Sequence, residues 1–460
     1  MSVEPIHGLA IDVDAVRAAI GAVPRVAYEA AHVYPLSAPR FTRRPGELRQ
    51  APAGGAQRLY VHIPFCRYAC TFCFYAKRVN TPLAQMQRYV DALRRELDGF
   101  DDAPTLRQLY LGGGTPTVLP PQLLDALLGA VTARLPLDQA SCHTAESSPE
   151  SLLAEHLDVL RRHGIGRVSL GVQTLDENLL HSINRQHSAR QALDACALLV
   201  EGGFSVNVDL IYGFLGQRED DLRRDLAAFA ALGTQSFTLY NLRLNERTPL
   251  ATAVAEIRRM ELPVLMRWRR LVELVMDELG YVQTRWHMFR RRDCPDPGHD
   301  RAPGIDGFGS GRELGIGVSA YSHLGETIYR NHERFDGYLR RVEAGDSPVE
   351  DVFPFAARDR KTLFVAKTIG ERRPLDLSHY EEIFGRPFEA DFGAVLDRLR
   401  RVDLVRETAG RLALTEVGGL VYDLVTIAFY PDDARHWLEC QQPAGPRDTT
   451  AAGRTAANPP

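Results

Sequence analysis

The chain has 460 residues, a mass of 51.3 kDa and a formal net charge of −4. That length accommodates a large core with a smaller companion, and the small charge excludes the strongly basic footprint of a nucleic-acid or anionic-membrane binder. No apolar run reaches the roughly 20 residues that span a bilayer, and the acidic start "MSVEPIHGLAIDVD" lacks the basic-then-apolar order of a secretory leader.

Residues 1–55 are poorly periodic and end in linker-like composition. A short β-rich run followed by a helical stretch then repeats. "RLYVHI" (58–63) precedes a cysteine-rich loop and a helix over 82–98, and "LRQLYL" (106–111) precedes "GGGTPT" and a helix opened by Pro120 and Pro121. "CHTAES" (142–147) leads to a helix over 150–163, and "RVSLGVQ" (167–173) to helices across 175–202. "SVNVDLIYG" (205–213) leads to a helix over 218–231, and "SFTLYNL" (236–242) to one over 259–279. Strands alternating with helices predict an α/β fold with a parallel sheet, either open and doubly wound or a partial barrel. Both architectures place ligands at the carboxyl ends of the strands, where the cysteines, the glycines, Glu146, Gln173 and Asp209 fall. Beyond about residue 325, three helical stretches and a hairpin turning at Ala409-Gly410 predict a small winged-helix-like unit. The tail 441–460, rich in Pro, Gly, Ala and Thr, reads as disordered. The expected division is an N-terminal extension over 1–55, a core over 56–325, a C-terminal unit over 326–440 and that tail.

"CRYACTFCFY" (66–75) gathers three of the seven cysteines into eight residues. The odd total does not resemble a secreted disulfide framework and fits a reducing cytoplasm. Zinc normally takes four ligands from two spaced pairs, and a lone redox pair, Cys70 and Cys73, leaves Cys66 unexplained. Three thiolates suit a [4Fe–4S] cube with one iron free of protein ligands. On spacing alone the cube is preferred, with zinc and a structural coincidence as alternatives.

C-x₃-C-x₂-C after the first strand of such a repeat resembles the signature of the radical S-adenosylmethionine (SAM) superfamily. "YVHIPFC", "LGGGTPT", "ESSPE", "SLGVQ", "INRQH", "DLIYG" and "LGIGVSAYS" resemble, in the same order, its HemN-like branch. The resemblance covers about residues 60–325 and implies a partial (β/α)₆ barrel with a smaller C-terminal domain. It implies a [4Fe–4S] cluster on Cys66, Cys70 and Cys73, whose open iron holds SAM and donates the electron that releases a 5′-deoxyadenosyl radical. Gly113, Gly114 and Thr115 are then expected to hold the methionyl amino group, and Glu146, Tyr60 and Phe72 to contact the same SAM. Gln173, Arg185 and Asp209 resemble positions for a second SAM; Arg243 is expected to reach a SAM carboxylate and Tyr321 to close over the pocket. His62 and Tyr75 stand as the catalytic candidates. The arginines of "RWHMFRRRD" (285–293) could grip a substrate carboxylate or form a solvated basic loop.

One departure bears on the reaction. The coproporphyrinogen dehydrogenases of this branch carry a fourth cysteine two residues after the third, where this chain has Tyr75, and their arginine- and tyrosine-rich N-terminal run has no clear counterpart in residues 1–55. The class C radical SAM methyltransferases typically lack that cysteine. The resemblance therefore leads to the expectation of C-methylation, or cyclopropanation, at an sp² carbon of an unsaturated or heteroaromatic small molecule, with two SAM molecules and a flavodoxin- or ferredoxin-type electron donor. Coproporphyrinogen III oxidation and a heme chaperone or heme-degrading role are the alternatives. A winged-helix DNA-binding regulator is a further one, weakened by Glu382, Glu389 and Asp391 beside "DRLRRVDLVR"; no nucleic-acid or membrane partner is expected.

Overall fold

The computed structural model describes residues 3–21, 41–50, 55–100, 105–242, 248–250, 261–294 and 311–440. The apolar runs of the repeat are strands: β1 (Arg58–Ile63), β2 (Gln108–Gly113), β3 (Thr144–Ser147), β4 (Arg167–Gln173), β5 (Ser205–Tyr212) and β6 (Ser236–Asn241). They lie side by side in chain order and all run parallel. Because such crossovers are right-handed, an order that never reverses returns every helix on the same face. This is a partial barrel wall, not the doubly wound sheet in which the order reverses.

The intervening helices are α1 (Leu83–Asp98), α2 (Pro121–Arg134), α3 (Ala154–Arg162), α4 (Glu177–Ser182), α5 (Ala189–Glu201), α6 (Glu219–Ala231) and α7 (Leu262–Glu278). Local sequence sets their starts. Pro fits the first turn of α2, where its missing N–H costs nothing. Ser188 and Gln191 exchange the reciprocal hydrogen bonds of a capping box at the start of α5. The longer helices lay apolar stripes on the sheet; in α2 it is Leu124, Leu127, Leu128 and Val131, in one core with Leu109 and Leu111 of β2.

The sheet extends beyond the six strands. At one edge β7 (Tyr281–Arg285) and β8 (Met288–Arg291) form a hairpin against β6. At the other, β9 (Arg312–Ile316) pairs parallel with β1, followed by antiparallel β10 (Tyr321–Leu324), β11 (Thr327–Asn331) and β12 (Val349–Pro354), and Thr42–Arg43 completes thirteen strands. Thus "GIGVSA", the centre of the "LGIGVSAYS" motif, is the end of β9 and the turn behind it. Gly315 is required there because a Cβ would strike the Tyr321 backbone carbonyl.

The first residues are more regular than their composition suggests. Val3–Ile6 and Leu9–Asp12 form a hairpin, and Asp12 caps the helix Val13–Ile20. Their apolar side chains share a core with the C-terminal region. That region holds the helices Ala357–Thr368, Leu377–Phe384 and Phe388–Arg401 and the hairpin Val405–Thr408/Arg411–Leu414, whose outer partner is Leu375–Asp376. Ala409 (φ 51°) and Gly410 (φ 72°) give the hairpin the twist-matched turn expected for that pair. The expected disordered tail lies outside the described residues. Arg269 of α7 ties the two regions together, donating to both Asp423 oxygens at 2.7 and 2.8 Å in a buried bidentate pair. Residues 41–50 are fixed by another buried carboxylate, Glu96 of α1. It accepts from Arg49 (2.7 Å), Gly317 N–H (2.8 Å), Asn331 (2.8 Å) and Tyr338 (2.6 Å).

Candidate active site

Strand periodicity builds the site. Alternate residues of β1 to β6 face the concave side of the wall, so Tyr60, Glu146, Ser169, Gly171, Gln173, Asp209, Ile211 and Tyr240 line one cavity of about 430 Å³. The loop after β1 brings Cys66, Cys70 and Cys73 to the same cavity. A two-residue parallel pairing, Phe65–Cys66 with Arg78–Val79, closes the base of that loop. Its tip is pinned to the end of α4: Thr71 N–H donates to the Ile183 carbonyl at 3.1 Å and Asn184 to the Ala69 carbonyl at 2.7 Å. "INRQH" thus serves the cysteine loop, and Arg185 continues the same contact with Nη1 3.6 Å from Cys70 Sγ and Nη2 on the Gly171 carbonyl.

The thiols fit a cluster. Burial first, then the neighbouring Cys73 and Cys70, push Cys66 up to about 12 against the opposing pull of Thr115 and Lys77. Burial also raises Cys70, with Arg185 opposing. Ionising Cys66 and Cys70 together is therefore unfavourable until a cationic group takes them, which is the behaviour of ligands that surrender protons to a metal. Among the described residues, no group of three His, Cys, Asp or Glu converges tightly enough to grip one ion. Thiols spread around a shared cavity suit a cube better than a single zinc ion.

The glycine turn is shaped by close approach. A Cβ on Gly112 would lie 2.9 Å from the Glu146 carboxyl, and one on Gly114 2.6 Å from the Phe65 carbonyl oxygen. Gly113 has φ +113°, and its Cβ would meet the His62 ring at 2.5 Å. Gly113 N–H donates to Glu146 Oε2 at 3.0 Å and Tyr110 OH to Oε1 at 2.8 Å. Burial, only partly offset by the Tyr110 bond and reinforced by Asp209, raises Glu146 to about 7. Burial raises Asp209 to about 6 against Arg167 and hydrogen bonds from Ser169, Thr238 and Asn207. Gln173, at the end of β4, holds the left-handed φ of +79° where the β4–β5 register shifts, a strained position of the kind found at binding sites.

Thirteen of the residues expected from sequence therefore surround one cavity: Tyr60, Cys66, Cys70, Phe72, Cys73, Tyr75, Gly113, Gly114, Thr115, Glu146, Gln173, Arg185 and Asp209. Phe72 also packs against Ile183, Ile211 and Phe214, so it anchors its loop as well as facing the cavity. Two expectations need correction. Tyr321 lies on β10, beyond β9, beside Phe41 and Arg330, and does not line the cavity. His62 is buried beneath the glycine turn, with Nδ1 3.1 Å from Tyr60 OH and Nε2 3.1 Å from the Ala76 carbonyl. Burial lowers it to about 4; it is a neutral brace for the cysteine loop. Arg243 lies outside the described residues. Sequence reasoning missed Tyr110, Tyr240, Trp286, His287 and Glu150, all near or in the wall. Alternation along β2 and β6 would have indicated the two tyrosines. Against the upward push of burial, His187, Arg185 and Ser148 hold Glu150 at about 2. The arginines of 285–293 are turned away: Arg285 pairs with Glu371, Arg291 with Asp293 and Arg292 with Asp277.

Comparison with known proteins matches residues 60–229 to the Radical SAM superfamily. The heme chaperone HemW of Mycobacterium tuberculosis is 30% identical over 323 residues, covering 68% of this chain and 80% of that protein. The chain belongs to the radical SAM superfamily, in its HemN-like branch. This radical SAM enzyme is also 28% identical to the oxygen-independent coproporphyrinogen III oxidase of Paracoccus denitrificans, over 71% of this chain and 76% of the relative. Its fold matches the crystal structure of coproporphyrinogen III oxidase (HemN) from Escherichia coli with a TM-score of 0.73 and 24% identity, covering 82% and 90% of the two chains. Its cofactors are a [4Fe–4S] cluster and SAM. No described helix of this radical SAM enzyme is long and apolar enough to cross a membrane.

Proposed function

We propose that this radical SAM enzyme works in tetrapyrrole chemistry, with oxidation of a coproporphyrinogen-type substrate as the leading reaction and heme carriage as a non-catalytic variant of the same site. The observation that carries the reading is the extended similarity to HemW and to coproporphyrinogen III oxidase, reaching well beyond the cysteine motif. Neither of these two relatives is named as a methyltransferase, so they lend no support to the C-methylation expected from sequence. Cys66, Cys70 and Cys73 would hold the cluster, and the side-chain-free turn at Gly112–Gly114 lets backbone approach the methionyl end of SAM. Glu146, already aligned by Tyr110 and Gly113, would accept from a SAM ammonium or hydroxyl group. Gln173, Arg185 and Asp209 would serve a second SAM. When bound, the cluster supplies the single electron that cleaves SAM to a 5′-deoxyadenosyl radical. The enclosing wall and loop keep solvent from such species.

Radical C-methylation is retained as a second reading because of the cavity mouth. Tyr75 stands there instead of a cysteine, stacked on Phe74 at 4.5 Å, and among the described residues the cations lining the cavity are Arg67, Lys77 and Arg185. That is a sparse complement for a substrate bearing several propionates. The deciding experiment incubates anaerobically reconstituted protein with methyl-deuterated SAM, dithionite and either coproporphyrinogen III or an unsaturated heterocycle. CO₂ release from coproporphyrinogen III supports the leading reaction. Deuterium in 5′-deoxyadenosine and a methylated product would establish the second reading, and heme binding without turnover would establish carriage.

A further inference from the structure

The cavity has two chemically unlike ends. The thiols, the glycine turn and Glu146 gather at the β1–β3 side. At the β6 side, the Tyr240 ring centroid lies 4.4 Å from that of His287, which lies 3.8 Å from that of Trp286.

The turn carrying these two aromatics breaks a local rule. Arg285 pairs with Met288, so Trp286-His287 is a two-residue hairpin loop. Such loops normally use Asn, Asp or Gly, because the twist-matched turns need positive φ. Neither Trp286 nor His287 has one, and a register shift between Gln283 and Arg285 absorbs the mismatch. A hairpin tip ordinarily meets water, yet His287 is only 6% exposed and both side chains line the cavity. A sequence that violates turn chemistry without a packing reason marks a functional position.

The tip is held from two sides. Leu239 N–H of β6 donates to the His287 carbonyl at 2.8 Å. From the C-terminal region, Glu371 accepts Arg285 Nη2 at 2.7 Å and Nε at 3.2 Å. Glu371 is buried and also has Arg373 at 3.4 Å and Lys367 at 3.7 Å, so it would keep cationic partners if Arg285 were neutralised.

We propose that Tyr240, His287 and Trp286 form the substrate-recognition wall of the chamber, shaped for the face of a flat unsaturated ring system, and that Arg285 is a positioning residue holding that wall through Glu371. Aromatic side chains recognise such rings by offset or edge-to-face contact, and pockets of this size take their orientation from a few polar groups set among apolar ones. The inference rests on reading this cavity as the substrate chamber.

The test titrates cluster-loaded, SAM-bound protein with two probes, coproporphyrin III and phenazine, following quenching of tryptophan emission and probe absorbance. Wild type is expected to bind at least one. Trp286→Ala should weaken that binding on the order of 10-fold, while iron content and SAM affinity stay unchanged. Trp286→Phe should retain most of the affinity. Arg285→Gln should lower ring affinity several-fold and shift the tryptophan emission without altering SAM affinity, and Arg285→Lys should restore both. Binding of neither probe by wild type, or equal ring affinity in Trp286→Ala, overturns the wall. Phenazine bound with coproporphyrin III excluded supports the wall while counting against heme carriage, which needs a flat macrocycle to enter.

Discussion

Glu146 offers a test in which stability and ligand binding move in opposite directions. Its rise from an ordinary 4.5 to about 7 corresponds to roughly 3 kcal/mol against the ionised form, at about 1.4 kcal/mol per pH unit. The folded pKa lies above the unfolded one, so the folded chain binds the extra proton. The cost is therefore absent below pH 4.5, grows between 4.5 and 7, and is complete above 7. Glu146→Gln removes it but leaves one oxygen where Tyr110 OH and Gly113 N–H now have two, a loss of about 1 kcal/mol. In chain free of SAM and cluster, the variant should be more stable than wild type by about 2 kcal/mol at pH 8. At pH 4.5 it should be less stable by about 1 kcal/mol. Urea unfolding at the two pH values reads both. SAM affinity of the reconstituted variant, by calorimetry at pH 8, should fall on the order of 10-fold or more, since a charge-assisted hydrogen bond is worth about 1.5–3 kcal/mol. A stability difference of the same sign and size at both pH values would refute the reasoning.

Replacing any one of Cys66, Cys70 and Cys73 by Ala should abolish the iron–sulfur absorbance and sharply lower bound iron after reconstitution, with the far-ultraviolet circular dichroism unchanged. Gly113→Ala sets an L-residue at φ +113° with His62 at 2.5 Å; an unfolding loss of about 1–3 kcal/mol and loss of SAM binding by equilibrium dialysis are expected. Asp423→Ala strands the buried Arg269 guanidinium and should cost about 3–5 kcal/mol, visible in thermal unfolding. Acidification from pH 6.5 towards 4 should destabilise the chain in part through His62, because the unfolded imidazole takes a proton that the folded one refuses until about pH 4. His62→Gln should flatten that part of the stability–pH profile.

The parallel wall was legible because most of its strands are short apolar runs punctuated by helix signals, while β3, "TAES", was legible from its place in the repeat. The three cysteines and "GGGTPT" were legible as a site because they fall at strand ends, whereas "INRQH", which follows α4, was legible only through the family resemblance. What escaped was set by tertiary contact. Trp286 and His287 sit in a turn that no turn residue announces, and β9 was hidden by glycines that resemble a loop but exist to let strands approach. His62 looked like chemistry since it adjoins the cysteines, yet alternation along β1 could not reveal that the Gly113 turn covers it. The N-terminal hairpin escaped for a related reason. Its apolar residues are few and irregular, and their periodicity makes sense only against the partner that buries them.

That hairpin has a consequence for how the chain is made. Ile6, Ile11 and Val16 share a core with Leu363, Leu396 and Leu424, and Arg398 donates to the Ala19 carbonyl at 2.7 Å. Ile11 and Leu363 are about 350 residues apart in the chain. At about 5–20 residues per second of synthesis, the hairpin and its helix wait roughly 20–70 s for the surface that buries them. The barrel wall can assemble in that interval, leaving an exposed apolar arm as a natural target for holdase chaperones. Residues translated late then capture residues translated early, so a nascent chain stalled before residue 360 would hold a folded wall and a loose arm, distinguishable by limited proteolysis.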